Sequence, residues 1–282
     1  MFQGDYMNGI LPIYKEANMT SHDVVARLRK ILHIQKIGHS GTLDPDATGV
    51  LLVLVGKATK ILPFLDDTDK EYIATLKLGI STDSDDVSGK IMETRKIKQI
   101  EHFEELLHTF KGKQKQLPPM ISSVRVNGKK LYEYARNNIP VTRPYRDIEI
   151  YNIEVLDTSA MKFKVACSSG TYIRTLCVDI AKKSGNIGCM ESLIRTRVGR
   201  FIIDDCVTLN DIENGNIPLF PIKDALSHYP MMDYEPITDI VQGKHIRLHT
   251  SHTQVAITNH DEVFAIYEKD HEDVYRCVRG LW

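Results

Sequence analysis

The stretch from Lys36 to Gly56 constrains this chain more than any other. Its first half, Lys36-Ile37-Gly38-His39-Ser40-Gly41-Thr42-Leu43-Asp44-Pro45-Asp46-Ala47-Thr48-Gly49, is crowded with glycine, hydroxyl residues and a proline, the make-up of a loop. Its second half, Val50-Leu51-Leu52-Val53-Leu54-Val55-Gly56, is a continuous apolar, β-branched run that reads as a buried strand. A polar loop is therefore tied directly to the core. Pro45 restricts the backbone of Asp44 toward extended values, so that carboxylate is presented rather than left to wander. It is a candidate nucleophile or base.

Two other readings compete for Asp44. Asp-Pro and Ser-Gly are ordinary turn dipeptides, and most aspartates in such turns only bond their own backbone. Asp44-Pro45-Asp46-Ala47-Thr48 also fits the DxDxT pattern of phosphatases that form an aspartyl-phosphate. That pattern ends a hydrophobic strand, whereas here the apolar strand follows the motif.

With 282 residues, 42% apolar and 26% charged, the chain can bury a full core, and a large domain (1–230) plus a small one (231–282) is expected. No apolar stretch is long enough to span a bilayer and the N-terminus lacks a basic-then-apolar signal pattern, so the expected location is the cytoplasm. Met1 to Tyr6 read as a remnant ahead of a natural start at Met7. The five cysteines, Cys167, Cys177, Cys189, Cys206 and Cys277, are odd in number and show no CxxC pairing. That argues against a disulfide framework or a zinc site. A net charge of −1 does not advertise a nucleic-acid binder. Local patterning does, since Lys111, Lys113, Lys115, Arg125, Lys129, Lys130, Arg136, Arg143 and Arg146 face the single acid Glu133, and Arg195, Arg197 and Arg200 form a second cluster. Such runs are either a solvated face or an RNA footprint.

Along the chain, His22 to Leu32 has helical spacing, with Ser21 placed to cap it. Asn18 can stand in for a left-handed glycine before it. Ala58 to Leu65 reads as helical, and Tyr72 to Gly79 as a strand whose opening tyrosine fills a core edge. The acidic segment Thr82 to Gly89 lacks the glycine and glutamate positions of an EF-hand. Glu101 to Phe110 is an amphipathic helix. Lys129 to Arg136 reads as a short basic helix interleaved with tyrosines, a mixture that binds RNA by phosphate contact and ring stacking. Ile148 to Leu156 and Met161 to Cys167 are strands, and Gly170-Thr171-Tyr172-Ile173-Arg174 opens a helix to about Lys183. An arginine in a first helical turn opposes the dipole and calls for a partner. Gln254 to Thr258, Glu262 to Tyr267 and Val274 to Gly280 are short strands.

The string Gly-His-Ser-Gly-Thr-Leu-Asp-Pro-x-Ala-Thr-Gly-Val-Leu resembles the catalytic motif of bacterial tRNA pseudouridine-55 synthases, the TruB family. The family's usual entry is Gly-His-Thr-Gly, so Ser40 is a departure that keeps the hydroxyl, and Asp46 puts a charge where the family varies. Other motifs arrive in the family's order. Lys-x-Tyr at Tyr72 matches the active-site tyrosine, and Thr-Asp-x-x-Asp-x-x-Gly puts Asp86 in the cleft. Gly-Thr-Tyr-Ile-Arg makes Tyr172 a contact of the flipped nucleotide and Arg174 the partner of the catalytic Asp44. Leu193 matches a leucine that packs against the bound base. Lys15-Glu16-Ala17-Asn18 departs from Lys-Pro-x-Gly, and Ile121 replaces an expected tyrosine.

The resemblance implies an α+β pseudouridine synthase fold, with a mixed, largely antiparallel central sheet and flanking helices. It also implies a thumb-like RNA-gripping insertion at about 111–146 and a small, mainly β, PUA-like C-terminal domain. The implied reaction detaches uracil from C1′, turns it over and rejoins it through C5, with no metal or organic cofactor. The implied partner is the tRNA T-arm, with no protein partner or membrane required and the chain acting as a monomer. His39 would fill the space vacated in the RNA, Tyr72 and Tyr172 would hold the nucleotide, and Lys129 and Lys130 would grip the T-arm. Asp44 must be ionised, and an arginine pairing with it opposes the upward pull of burial on its pKa. Whether Asp44 attacks C1′, adds to C6 or assists elimination stays open, with Tyr72 a possible base in the last case. A tRNA-folding chaperone would use the same gripping surface, and a guide-RNA-particle enzyme would carry a larger C-terminal domain.

Overall fold

In the computed structural model of the chain, residues 7–65 and 69–282 are described, so the reading of Met1 to Tyr6 lies outside them. The chain forms two compact units: Met1–Pro45, Gly49–Asp67 and Val198–Trp282 make the first, Asp46–Thr48 and Thr68–Arg197 the second.

The first unit opens with β1 (Gly9–Lys15), α1 (Ser21–Leu32), β2 (Ile37–His39) and β3 (Thr48–Val55). β3 is the apolar run, buried from Gly49 to Val55. It pairs antiparallel with β1, from Gly9↔Val55 to Lys15↔Gly49, and with β2, from Ile37↔Val55 to His39↔Val53. The loop half of the motif thus contains a short strand, because a buried strand cannot leave its backbone groups unpaired and Ile37 can join the core. α1 buries Val24, Val25, Leu28 and Leu32. Its cap is Thr20 rather than Ser21: Thr20 Oγ1 accepts from Asp23 N at 3.1 Å, and the Asp23 carboxylate accepts from Thr20 N at 2.8 Å. This reciprocal box frees Ser21 for another task. Asn18 takes φ 63°, the left-handed conformation expected of it. Gly56–Phe64 is a 3-10 helix, not an α-helix, and Pro63 within it cannot supply an α-type bond.

The second unit contains β4 (Lys70–Leu78), β5 (Ile80–Thr82), β6 (Ile91–Thr94), α2 (Phe103–His108), β7 (Gly112–Gln116), β8 (Arg125–Val126) and β9 (Lys129–Lys130). It continues with α3 (Leu131–Arg136), β10 (Arg146–Asp157), β11 (Lys162–Cys167), α4 (Ile173–Lys183) and β12 (Gly188–Val198). Its sheet runs β12-β4-β11-β10-β7, with the β4/β11, β11/β10 and β10/β7 pairs antiparallel. α4 lies against β4, and α2 against β10. The basic helix starts at Leu131, not Lys129. Lys129 and Lys130 instead pair with Arg125 and Val126 across a tight turn at Asn127 (φ 49°) and Gly128 (φ 81°). Asn-Gly between short strands is the strongest local hairpin signal, and it outweighs the helical pattern.

The chain then returns to the first unit through β13 (Phe201–Ile202), α5 (Leu209–Glu213) and α6 (Ile222–Ala225). It ends in β14 (Met231–Asp233), α7 (Ile237–Val241), β15 (Ile246–Arg247), β16 (Gln254–Asn259), β17 (Glu262–His271) and β18 (Val274–Gly280). These strands form a sheet in the order β14-β16-β17-β18-β15, with β14 parallel to β16 and the other pairs antiparallel. Ala256, Val263, Ile266 and Leu281 join one core with Ile10, Val50, Leu52 and Leu54. The opposite face packs Val255, Ile257 and Tyr267 with Ile240 and Tyr275. The terminal sheet is therefore packed on both faces.

Candidate active site

Asp44 sits half-buried in the turn between β2 and β3, and the main chain on either side of it is anchored. On one side the Ser21 hydroxyl accepts from Leu43 N at 3.0 Å and donates to Leu43 O at 3.4 Å. On the other, Lys15 Nζ donates to Pro45 O at 2.8 Å and to Glu16 O at 2.9 Å, from a side chain with 0% exposure. A buried ammonium is tolerated only when its protons are matched, so Lys15 and the turn require each other. These two residues hold Asp44 in place, and the sequence reading singled out neither for that role. The signals were a lysine closing an otherwise apolar strand and two adjacent hydroxyls, Thr20-Ser21, of which only one can cap. His39 ends β2, where its Nδ1 accepts from Gly41 N at 3.3 Å.

In the second unit Arg174 occupies the first turn of α4 and is only 6% exposed. Its Nη1 donates to Ser84 O at 2.9 Å, its Nη2 to Ile121 O at 3.0 Å, and its Nε lies 3.9 Å from Asp86 Oδ2. Asp86 Oδ1 accepts from Ser84 Oγ at 2.8 Å, Ser88 N at 3.0 Å and Ser88 Oγ at 2.6 Å. Within this unit Arg174 thus meets Asp86 and two carbonyls. Asp44 belongs to the other unit. Next to Asp86, burial pushes the Asp85 carboxyl above its ordinary 3.8, with Arg174 and Arg143 opposing.

Tyr172 precedes α4, and the Gln116 amide holds its backbone from both ends, donating to Tyr172 O at 3.0 Å and accepting from Tyr172 N at 2.8 Å. Tyr72 lies in β4 opposite Val165 and is buried. Ser192 Oγ donates to Thr75 Oγ1 at 3.0 Å and Thr196 Oγ1 to Glu71 Oε1 at 2.8 Å, so these four share one face of β12 and β4. By alternation Leu193 and Arg195 share the opposite, buried face with Tyr72. Arg195 is 2% exposed, so it is no part of a solvated basic cluster.

Lys129 and Lys130 lie on the β8/β9 hairpin. Lys130 Nζ lies 5.4 Å from the centroid of the exposed Tyr132 ring, whereas Tyr134 is buried and donates to Val126 O at 2.9 Å. Among the described residues no three His, Cys, Asp or Glu side chains converge as a metal cluster, and no helix is long and apolar enough to cross a membrane.

Residues 29–173 match the family model described as TruB family pseudouridylate synthase, N-terminal domain, and residues 174–217 match the tRNA pseudouridylate synthase B C-terminal domain. The chain belongs to the TruB family. It is 46% identical to tRNA pseudouridine synthase B of Bacillus pumilus (strain SAFR-032), across 84% of this chain and 81% of that one. It is 41% identical to the protein of that name from Oceanobacillus iheyensis, across 97% of each. A solved Cbf5–Nop10–Gar1 complex contains a chain of the same fold, with a TM-score of 0.76 and 26% identity, covering 97% of this chain and 85% of that one. The pseudouridine synthase fold is thus the fold of this chain, and TruB membership makes it an isomerase. The phosphatase reading of Asp44 to Thr48 falls away. The TruB N-terminal match spans His39, Asp44, Tyr72, Asp86, Lys129, Lys130 and Tyr172, and the C-terminal match spans Arg174 and Leu193.

Proposed function

We propose that the chain isomerises uridine 55 in the T-arm of tRNA to pseudouridine, acting alone in the cytoplasm as a monomer, by base flipping and an Asp44-dependent rearrangement of the glycosidic bond. The observation that carries this reading is the turn around Asp44, anchored on both sides by Ser21 and Lys15 in a TruB motif. The relatives' shared name supports tRNA as the substrate. Extruding the base costs a few kcal/mol, which phosphate contacts and ring stacking supply. Lys129, Lys130 and the rest of insertion 111–146 grip the T-arm, and residues 231–282 add a PUA-like RNA contact. His39 fills the vacated space, Tyr72 and Tyr172 hold the flipped nucleotide, Leu193 packs on the base, and Asp86 lines the cleft. Arg174 keeps Asp44 ionised.

The test is tritium release from C5-labelled uridine in purified unmodified tRNA, with no other protein present. Asp44→Asn should abolish release while leaving tRNA affinity within about tenfold, roughly 1.4 kcal/mol. Turnover by that variant removes Asp44 from the chemistry. RNA remodelling without release identifies the chain as a chaperone instead.

A further inference from the structure

Two consecutive residues at the start of α1 reach the motif at two points, Leu43 within its loop and His39 at the end of β2. Ser21 holds the main chain at Leu43. His22, one residue on, sets its ring against that of His39, with centroids 5.4 Å apart and planes at 81°. That is the edge-to-face arrangement ring quadrupoles favour. Gly41 N, meanwhile, donates to His39 Nδ1 at 3.3 Å, so a neutral His39 carries its proton on Nε2. The two contacts restrain different freedoms of the same side chain. The hydrogen bond selects which ring edge faces the backbone and hence the tautomer; the His22 ring limits the swing of the imidazole plane.

We propose that His22 is a positioning residue for His39, holding its imidazole in one rotamer and one tautomer before RNA arrives. The inference rests on the proposed reaction, in which His39 enters the space left by the flipped uridine. A side chain that must fill a defined gap loses rotamer freedom on doing so, and one already ordered in the free protein loses less. α1 suits the task because its capping box fixes the first turn and its apolar face is bound to the core beneath β3. The helix thus carries the order of the core to a half-exposed ring.

The experiment compares His22→Ala and His22→Phe with the wild type. The readouts are the ring nitrogen and carbon NMR signals of His39 in the free protein, the single-turnover rate at saturating unmodified tRNA, and tRNA affinity. His22→Ala should move the His39 signals toward rotamer and tautomer averages and slow turnover about three- to tenfold, the size expected of an aromatic pair, with affinity unchanged. His22→Phe keeps an edge-to-face ring without a titratable group and should restore both signals and rate. In a His39→Ala background, His22→Ala should have no further effect. If the alanine variant fails to fold, His22→Gln against His22→Phe makes the same comparison.

Unaltered His39 signals in His22→Ala overturn the proposal. So does a pattern in which Ala and Phe variants both lose affinity and salt dependence, which assigns His22 to a phosphate contact instead. An inactive wild type overturns the proposed reaction rather than the clamp, and the His39 signals alone then decide whether His22 orders that ring.

Discussion

Ser21 and Ser40 carry the same hydroxyl in opposite circumstances. Ser21 is fully buried and serves both the N–H and the C=O of Leu43, whereas Ser40 Oγ is buried with no hydrogen-bond partner among the described residues. Removing one partner of a buried hydrogen bond costs about 1–3 kcal/mol, while a hydroxyl that is desolvated without compensation contributes nothing to lose. Ser21→Ala should therefore lower stability by about that amount and loosen the turn that holds Asp44. Ser40→Ala should leave stability unchanged or raise it. Chemical denaturation of the two variants in parallel checks this, and a Ser40→Ala penalty equal to that of Ser21→Ala would contradict the assignment of the Leu43 anchor.

Between β5 and β6, the Asp83–Gly89 turn depends on a glycine and strains against a carboxylate. A Cβ on Gly89 would stand 2.1 Å from Ser84 Oγ and 2.6 Å from Asp83 Oδ1. Ser84 is the residue that bonds Asp86 through its hydroxyl and Arg174 through its carbonyl. Gly89→Ala should displace that support and reduce the single-turnover rate on tRNA without weakening binding, a split measured at saturating RNA. Asp85 sits in the same turn at φ 64°, with its carboxyl raised above 3.8 chiefly by burial. A raised folded-state value means the fold favours the protonated acid. The penalty is therefore absent below the unfolded value and grows as pH rises through the folded one. Asp85→Asn should gain stability at pH 7, and the part of the gain due to charge should vanish toward pH 3. Melting curves across that range give the answer; a gain independent of pH would leave only the better fit of asparagine to a left-handed backbone.

For the whole molecule, the placement of charge and of the terminal sheet matters more than their totals. A net charge of −1 conceals the exposed cations of the 111–146 insertion, where Lys113 and Lys115 share one face of β7, Lys111 precedes that strand, and Lys129 lies in the β8/β9 hairpin. Removing charge at Lys129 and Lys130 should weaken tRNA binding and flatten its dependence on salt, because released counterions dominate such contacts. An unchanged slope would make the hairpin a merely solvated surface. The terminal sheet shares a core with β1 and β3 through Ala256, Val263, Ile266 and Leu281. Deleting residues 231–282 should therefore strip the apolar backing from β3 and abolish cooperative unfolding, not just reduce RNA affinity. A truncated chain that melts sharply and retains turnover would show that the sheet is an independent appendage.

What the sequence by itself determined was whatever depends on local pattern. The apolar run from Val50 predicted β3, the spacing of Val24, Val25 and Leu28 predicted α1, and Asn18 was legible as a left-handed position because few residues accept one. The Asp44 motif, read with Tyr72, Gly170 to Arg174 and Leu193, was enough to reach the TruB family, since a dense string of specified positions needs no coordinates. Even the Lys129 hairpin was legible in Asn127-Gly128, had the turn been weighed above helical spacing. Only the tertiary structure decided which groups meet across long separations: Ser21 with Leu43, Lys15 with Pro45, Gln116 with Tyr172, Arg174 with Ser84 and Ile121. Arg195 reads as a surface cation in one dimension and is buried in three. The physical reason is that a polar side chain's environment is set by packing, and burial turns a lone lysine, serine or arginine into an obligatory hydrogen-bonding partner whose choice no local pattern encodes.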